Sequence, residues 1–220
     1  LKHNGPYFDD TDVKNLIGLK NLKNKIDLKS YPSIEAQIAS ISDDIAYNNH
    51  DIQDGFNANI FKINELKEIN FFNEILKKYL SKFKKTNNRI LIYQMVRDSI
   101  NLMVKDLIKN SIINFKLNKI NKLNDVYKSE NKLVCFSSNY ENIINEIRDF
   151  LSFKMYKNNK VLKKNNEGRR IIEKLFKEIS SKPRKFLTFT TIKHNKYRSI
   201  ADYISGMTDR FAINIYKSLK

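Results

Sequence analysis

Three acids, a tyrosine and a histidine recur on one side of the segment Ile34 to Gly55, IEAQIASISDDIAYNNHDIQDG. The spacing predicts a helix, and at about 100° per residue Asp43, Tyr47, His50, Asp51 and Asp54 fall on one stripe of it. Ile34, Ile38, Ile41, Ile45 and Ile52 form a narrow apolar stripe almost diametrically opposite. Asp43, Tyr47 and Asp51 stand at i, i+4 and i+8, one above another. A carboxylate at one end of such a line could bind a hard cation. A phenol and a second carboxylate, one and two turns along, could meet the hydroxyls of a bound sugar. A buried structural hydrogen-bond network would use the same residues. Ala36, Ala39 and Ala46 flank the acids, and small residues let neighbouring helices approach, so this stripe is expected to be buried or half-buried. Carboxylates withdrawn from water need a metal, a cation or a proton. Asp is also a poor helix-interior residue, so Asp43-Asp44 in mid-helix asks for a reason beyond ordinary helix polarity.

The remaining elements must position that stripe. With only five Gly and three Pro in 220 residues, the chain has little punctuation for a many-stranded fold. The fold class expected is all-α, a multi-helix bundle. Ser33 is the N-cap expected for the acidic-face helix, and Gly55 its terminator. A short helix is expected around Val13 to Leu22. Further helical spacing runs from Phe61 to Phe83, from Asn88 to about Leu117, and from Asn139 to Asn158. Two more helices are expected at Arg169 to Ser180 and at about Tyr197 to Leu219, the latter with Met207 and Phe211 in the core. Asn118 to Asn131 reads as a Lys/Asn linker. The aromatic content, 14 Phe and 11 Tyr, argues for a packed protein rather than disorder.

Composition narrows the setting. The single cysteine, Cys135, excludes an intrachain disulfide and a cysteine-based zinc site. No apolar run approaches the roughly 18 to 20 residues of a membrane span. The expectation is a cytoplasmic protein without a membrane partner. A net charge of +17 invites a nucleic-acid reading. However, Lys outnumbers Arg 33 to 8, and Asn and Ile are nearly as frequent as Lys. Those are residues of A/T-rich codons, so a biased genome is the favoured account of the charge. A basic helical nucleic-acid-binding module stays as the second reading. His3, in a turn, reads as a surface or capping residue, and His194, between Lys193 and Asn195, as solvated.

The segment SIEAQIASISDDIAYNNHDIQD resembles the last metal-ligand helix of the deoxyguanosine triphosphate triphosphohydrolase-like proteins, a branch of the HD-domain phosphohydrolases. LKHNGP is similar to a turn motif shortly before that helix, and RSIADYISGMTDRFAINIY to the family's C-terminal signature. LIYQMVRDSINLMVKDLI and FSSNYENIINEIRDFLSFKMYKN match its later helices in order and spacing. The resemblance implies hydrolysis of a deoxynucleoside triphosphate, dGTP first, to deoxynucleoside and triphosphate. It implies a divalent metal held by a His…His-Asp…Asp set, with Mg or Mn foremost and Fe or Co as alternatives. Asp43 matches the last metal ligand. Tyr47 and Asp51 match residues that line the sugar and read its 3′-hydroxyl, Tyr47 also standing where a 2′-hydroxyl would sit. A homo-oligomer is implied as well.

The departure is equally specific. His50-Asp51 lies after Asp43, in the wrong order to be the family's central pair. The expectation is therefore that the first His and the His-Asp pair belong to an upstream HD segment, and that no catalytic residue lies within this chain. Residues 1–56 would end the HD-type catalytic core and residues 57–220 would form a C-terminal helical lobe. The 220 residues alone are expected to be inactive, and a non-catalytic remnant or regulatory lobe is a further reading. Lys2 could approach a phosphate, although a solvated lysine is the plainer reading. Arg210 reads first as half of an ion pair with Asp209, and second as a group reaching a base or phosphate, in one version across an oligomer interface.

Overall fold

Nine α-helices and no strand occur among the described residues of the computed structural model, which are 6, 29–82, 87–187 and 195–219. The all-α expectation is met. Packing divides the chain into two compact units, Leu1–Met155 and Tyr156–Lys220. The expected division at 56/57 separates the end of a catalytic core from a helical lobe by role, a different question from compactness. The helix expected at Val13 to Leu22 lies outside the described residues.

The first unit contains α1 (Ile34–Asn57), α2 (Ile63–Leu66), α3 (Asn70–Lys82), α4 (Asn88–Leu117), α5 (Leu123–Tyr127) and α6 (Ser138–Leu151). Its axis is α4, about 45 Å long at 1.5 Å per residue, with α1 and α3 packed against it and α6 against α1. Asn87 caps α4 by accepting from the Arg89 amide at 2.8 Å. Leu91, Ile92, Met95, Val96, Met103 and Leu107 turn one side of α4 into the core. Ile108, one residue past Leu107, is exposed.

The apolar spacing from Phe61 to Phe83 predicts one helix; the structure has two, α2 and α3, with a turn at Lys67–Ile69. The Glu65 carboxylate accepts from the Lys62 amide at 2.8 Å and closes the first turn early. The bend lets Leu66, Ile69, Phe72 and Leu76 all be buried. Gly55 does not end α1: the helix continues to Asn57, and the backbone turns at Asn59, with φ 53°. Gly55 serves close approach instead, since a methyl group there would run into the buried ring of Phe61. The stretch read as a Lys/Asn linker contains α5, pinned by buried Val126. After α6 the chain winds as one π-helical turn, Ser152–Tyr156.

The second unit contains α7 (Asn159–Ser181), a 3-10 turn (Pro183–Lys185), α8 (Lys196–Ser205) and α9 (Asp209–Ser218). Helix α7 starts ten residues before its expected start, because Asn158 caps it through the Lys160 amide at 2.9 Å. Both α8 and α9 pack on α7 around Leu175, Ile179, Leu187 and Ile200. The single terminal helix expected is broken at Gly206–Thr208, where Thr208 caps α9 through the Phe211 amide at 3.3 Å. The break resets the helical phase. Ala212, Ile215, Tyr216 and Leu219 therefore face the core, Met207 is partly buried as expected, and Phe211 points outward, 48% exposed. No helix of the described residues is long and apolar enough to cross a membrane.

Candidate functional site

Helix α1 is held by polar anchors as well as apolar ones. Ser33 caps it, accepting from the Ala36 amide at 3.4 Å. Gln37, 1% exposed, accepts from the amides of Leu133 and Val134, both at 3.1 Å, and donates to the Pro32 carbonyl at 2.9 Å. One side chain thus rivets the first turn to a segment nearly a hundred residues away. Below it Ile41, Ile45 and Ile52 are buried. Asn49, fully buried, donates to the Ile45 carbonyl at 2.8 Å and to the Met103 sulfur at 3.3 Å. Asn48 Nδ2 and Asn49 Oδ1 are buried without a hydrogen-bond partner among the described residues.

These polar residues are what sequence reasoning missed. Gln37 and Asn48 stand 60° and 40° from the line of Ile34 and Ile52 at about 100° per residue, inside the buried arc. That angle was the available signal, but an apolar/polar pattern does not score amides as core. Because Gln37 draws its own side of the first turn inward, Ile38 on the other flank is 46% exposed rather than buried.

The acidic stripe departs more sharply from expectation. Asp43, His50 and Asp54 are exposed, Tyr47 is 61% exposed, and Asp51 alone of the five is half-buried. The inference that these carboxylates are hidden from water, and so must have a cation, is corrected: α4 and α6 cover the opposite face of α1. The acid doublet divides its work. Asp44 pairs with Arg148 of α6 at 3.2 Å, both side chains partly exposed. Asp43 has no hydrogen-bond or ion-pair partner among the described residues, and its carboxylate faces outward. Asp43, Tyr47 and Asp51 do share one face, each about 6 Å along the axis from the next.

Among the described residues no group of three or more His, Cys, Asp and Glu could hold a metal ion. Asp43 offers at most two oxygens, whereas a divalent cation of the Mg or Mn type takes about six ligands. The residues present do not fit a metal by themselves. Lys2, His3 and His194 lie outside the described residues. Arg210 is exposed near the start of α9 and makes no ion pair with Asp209, so the pair expected there is absent from the described structure. Asp209 instead occupies the first turn of α9, where a carboxylate meets the positive end of the helix dipole.

The displaced proton affinities belong to positions that hold the fold. The Lys154 ammonium, hydrogen-bonded at 2.8 Å, and then the Lys62 amide hold the Glu65 carboxyl below its usual range. Burial raises the Tyr140 phenol, with Asp106 adding to it.

Comparison with known proteins adds a second line. A family described as phosphohydrolase-associated domain matches residues 134–218. The deoxyguanosinetriphosphate triphosphohydrolase-like protein of Pelagibacter ubique is 56% identical over 219 residues, covering 100% of this chain and 59% of its own length. The proteins of the same name from Rickettsia typhi and Rickettsia prowazekii are 36% and 34% identical over 225 residues, again covering all of this chain and 58% of theirs. The chain spans about three-fifths of the length of these curated relatives.

Proposed function

We propose that this chain, a homologue of the deoxyguanosinetriphosphate triphosphohydrolase-like proteins along its full length, is the C-terminal part of a metal-dependent hydrolase. The reaction is deoxynucleoside triphosphate plus water giving deoxynucleoside plus triphosphate, with dGTP the first substrate to test. The observation that carries this reading is the match, across the whole of this chain at 56% identity, to a protein of that name. The geometry of α1 supports it: Asp43 stands outward with no partner among the described residues, and Tyr47 and Asp51 follow at one-turn intervals on the same face.

In this reading α1 is one wall of the site. Asp43 supplies one ligand to a divalent ion, Mg or Mn, whose other protein ligands come from an HD segment outside this chain. Tyr47 packs against the deoxyribose, and Asp51 accepts from its 3′-hydroxyl. Lys2 and Arg210 are phosphate or base contacts of the same reading. Residues 1–56 close the catalytic core and 57–220 form the helical lobe of a cytoplasmic homo-oligomer. Exposure of the stripe suits this role, because a wall must stay open until its opposite wall arrives.

The test compares the 220-residue chain with the same chain extended by the N-terminal segment of its longer relatives, following triphosphate release from dGTP with Mg or Mn. Release by the extended protein only is expected. Robust hydrolysis by the 220 residues alone would refute the division of ligands. Silence of both would leave the remnant reading.

A further inference from the structure

The chain's positive charge is not spread evenly. Residues 156–220 contain 17 Lys and Arg against five Asp and Glu, so this stretch of 65 residues carries +12 of the net +17. It also contains five of the eight Arg: Arg169, Arg170, Arg184, Arg198 and Arg210. An A/T-rich codon bias explains Lys throughout a chain. It explains neither a concentration in one unit nor an enrichment of Arg there.

Helix α7 turns part of this charge into a line. At about 100° per residue Lys163, Arg170, Lys174 and Lys177 fall within about 60° of one another, opposite the buried Leu175 and Ile179. Lys163, Arg170 and Lys177 are exposed, and none of the three is in an ion pair among the described residues. Lys174 lies over the Tyr216 ring at 5.3 Å. Of the neighbouring acids, Glu167 pairs with Lys164 at 3.1 Å and Glu173 with Arg169 at 2.7 Å, while Glu178 is in no ion pair among the described residues. From Lys163 to Lys177 the line runs about 21 Å at 1.5 Å per residue. Exposed Arg184 and Lys185 follow on the 3-10 turn.

We infer that the outer face of α7 is a docking surface for the phosphate backbone of a nucleic acid. Cations strung along one face of a rigid rod match a polymer of closely spaced negative charges, and Arg adds two-pronged contact to phosphate oxygens. An anionic membrane is the poorer match. A helix that lies in a bilayer surface inserts its apolar face, and most of that face of α7 (Ile171, Leu175, Phe176 and Ile179) packs in the core of its own unit, with Ile172 and Leu162 exposed. Nothing in the line reads bases, so the binding is sequence-independent.

The test measures anisotropy of labelled single-stranded DNA and RNA, about 20 nucleotides each, with the 220-residue chain across a salt series. Lys163→Glu/Arg170→Glu/Lys177→Glu is expected to weaken binding at least about tenfold and to lower the salt slope by about two. Lys105→Glu/Lys109→Glu, an exposed charge reversal on α4, is expected to cost less than about threefold. Comparing DNA with RNA identifies the polymer. Equal losses in both variants would overturn the proposal, as would binding to phosphatidylserine vesicles but to neither oligonucleotide. Should the glutamate variant lose its helical circular dichroism, the three glutamines take its place, with the same expected direction.

Discussion

The first unit has a deep core and modest charge, and the second has the reverse. Among the described residues, 22 of the buried hydrophobic side chains belong to the first and only four to the second. The second nevertheless carries most of the net positive charge, which repels itself in the folded state. The contrast suggests where each kind of function can live. A site that needs ångström-level placement belongs on α1, riveted through Gln37 and buried isoleucines. A surface that only needs to present charge can sit on a thinly packed three-helix unit.

The largest effect should come from the small core. Leu175→Ala removes one of its four buried residues and is expected to cost about 2–5 kcal/mol. Hydrogen exchange should show protection lost in α7, α8 and α9 while α4 keeps its own. Loss spreading equally into α4 would mean that the two units do not differ as described.

Gln37→Ala probes the polar rivet of the first unit. It leaves the Leu133 and Val134 amides without their acceptor, for an expected cost of about 2–4 kcal/mol in urea unfolding. A change under about 0.5 kcal/mol would show that water replaces the amide easily and that α1 is less firmly placed.

The smallest effect concerns acid. Glu65 has its pKa lowered in the fold by Lys154 and the Lys62 amide. Its stabilisation is therefore complete above the unfolded value, about 4.3, and disappears as pH falls through the folded one. Wild type and Glu65→Gln should differ in melting temperature at about pH 6, and the gap should close only as acid carries the pH below the usual carboxylate range and through the lowered folded value. A gap that persists in acid would assign the difference to packing.

Much of the fold was legible because helical period is a local property. The limits of α4, the Ser33 cap and the all-α class all follow from spacing and capping chemistry. The breaks at Lys67–Ile69 and Gly206–Thr208 were not, since apolar spacing continues across them and only tertiary packing rewards the bend. For the candidate site, the shared face of Asp43, Tyr47 and Asp51 follows from their spacing alone. Its exposure does not, because period gives the angle between two faces and says nothing about which neighbours cover either one. Gln37 and Asn49 show the complementary failure, polar groups whose burial depends on partners far along the chain.

Central to the proposed function is Asp43 as a ligand-bearing carboxylate rather than a solvated helix acid. In the extended protein, triphosphate release from dGTP should fall at least about a hundredfold on Asp43→Asn, while the melting temperature stays within about 2 °C, as for an exposed substitution. Unchanged release by the Asp43→Asn enzyme would contradict that role and return α1 to a purely structural one.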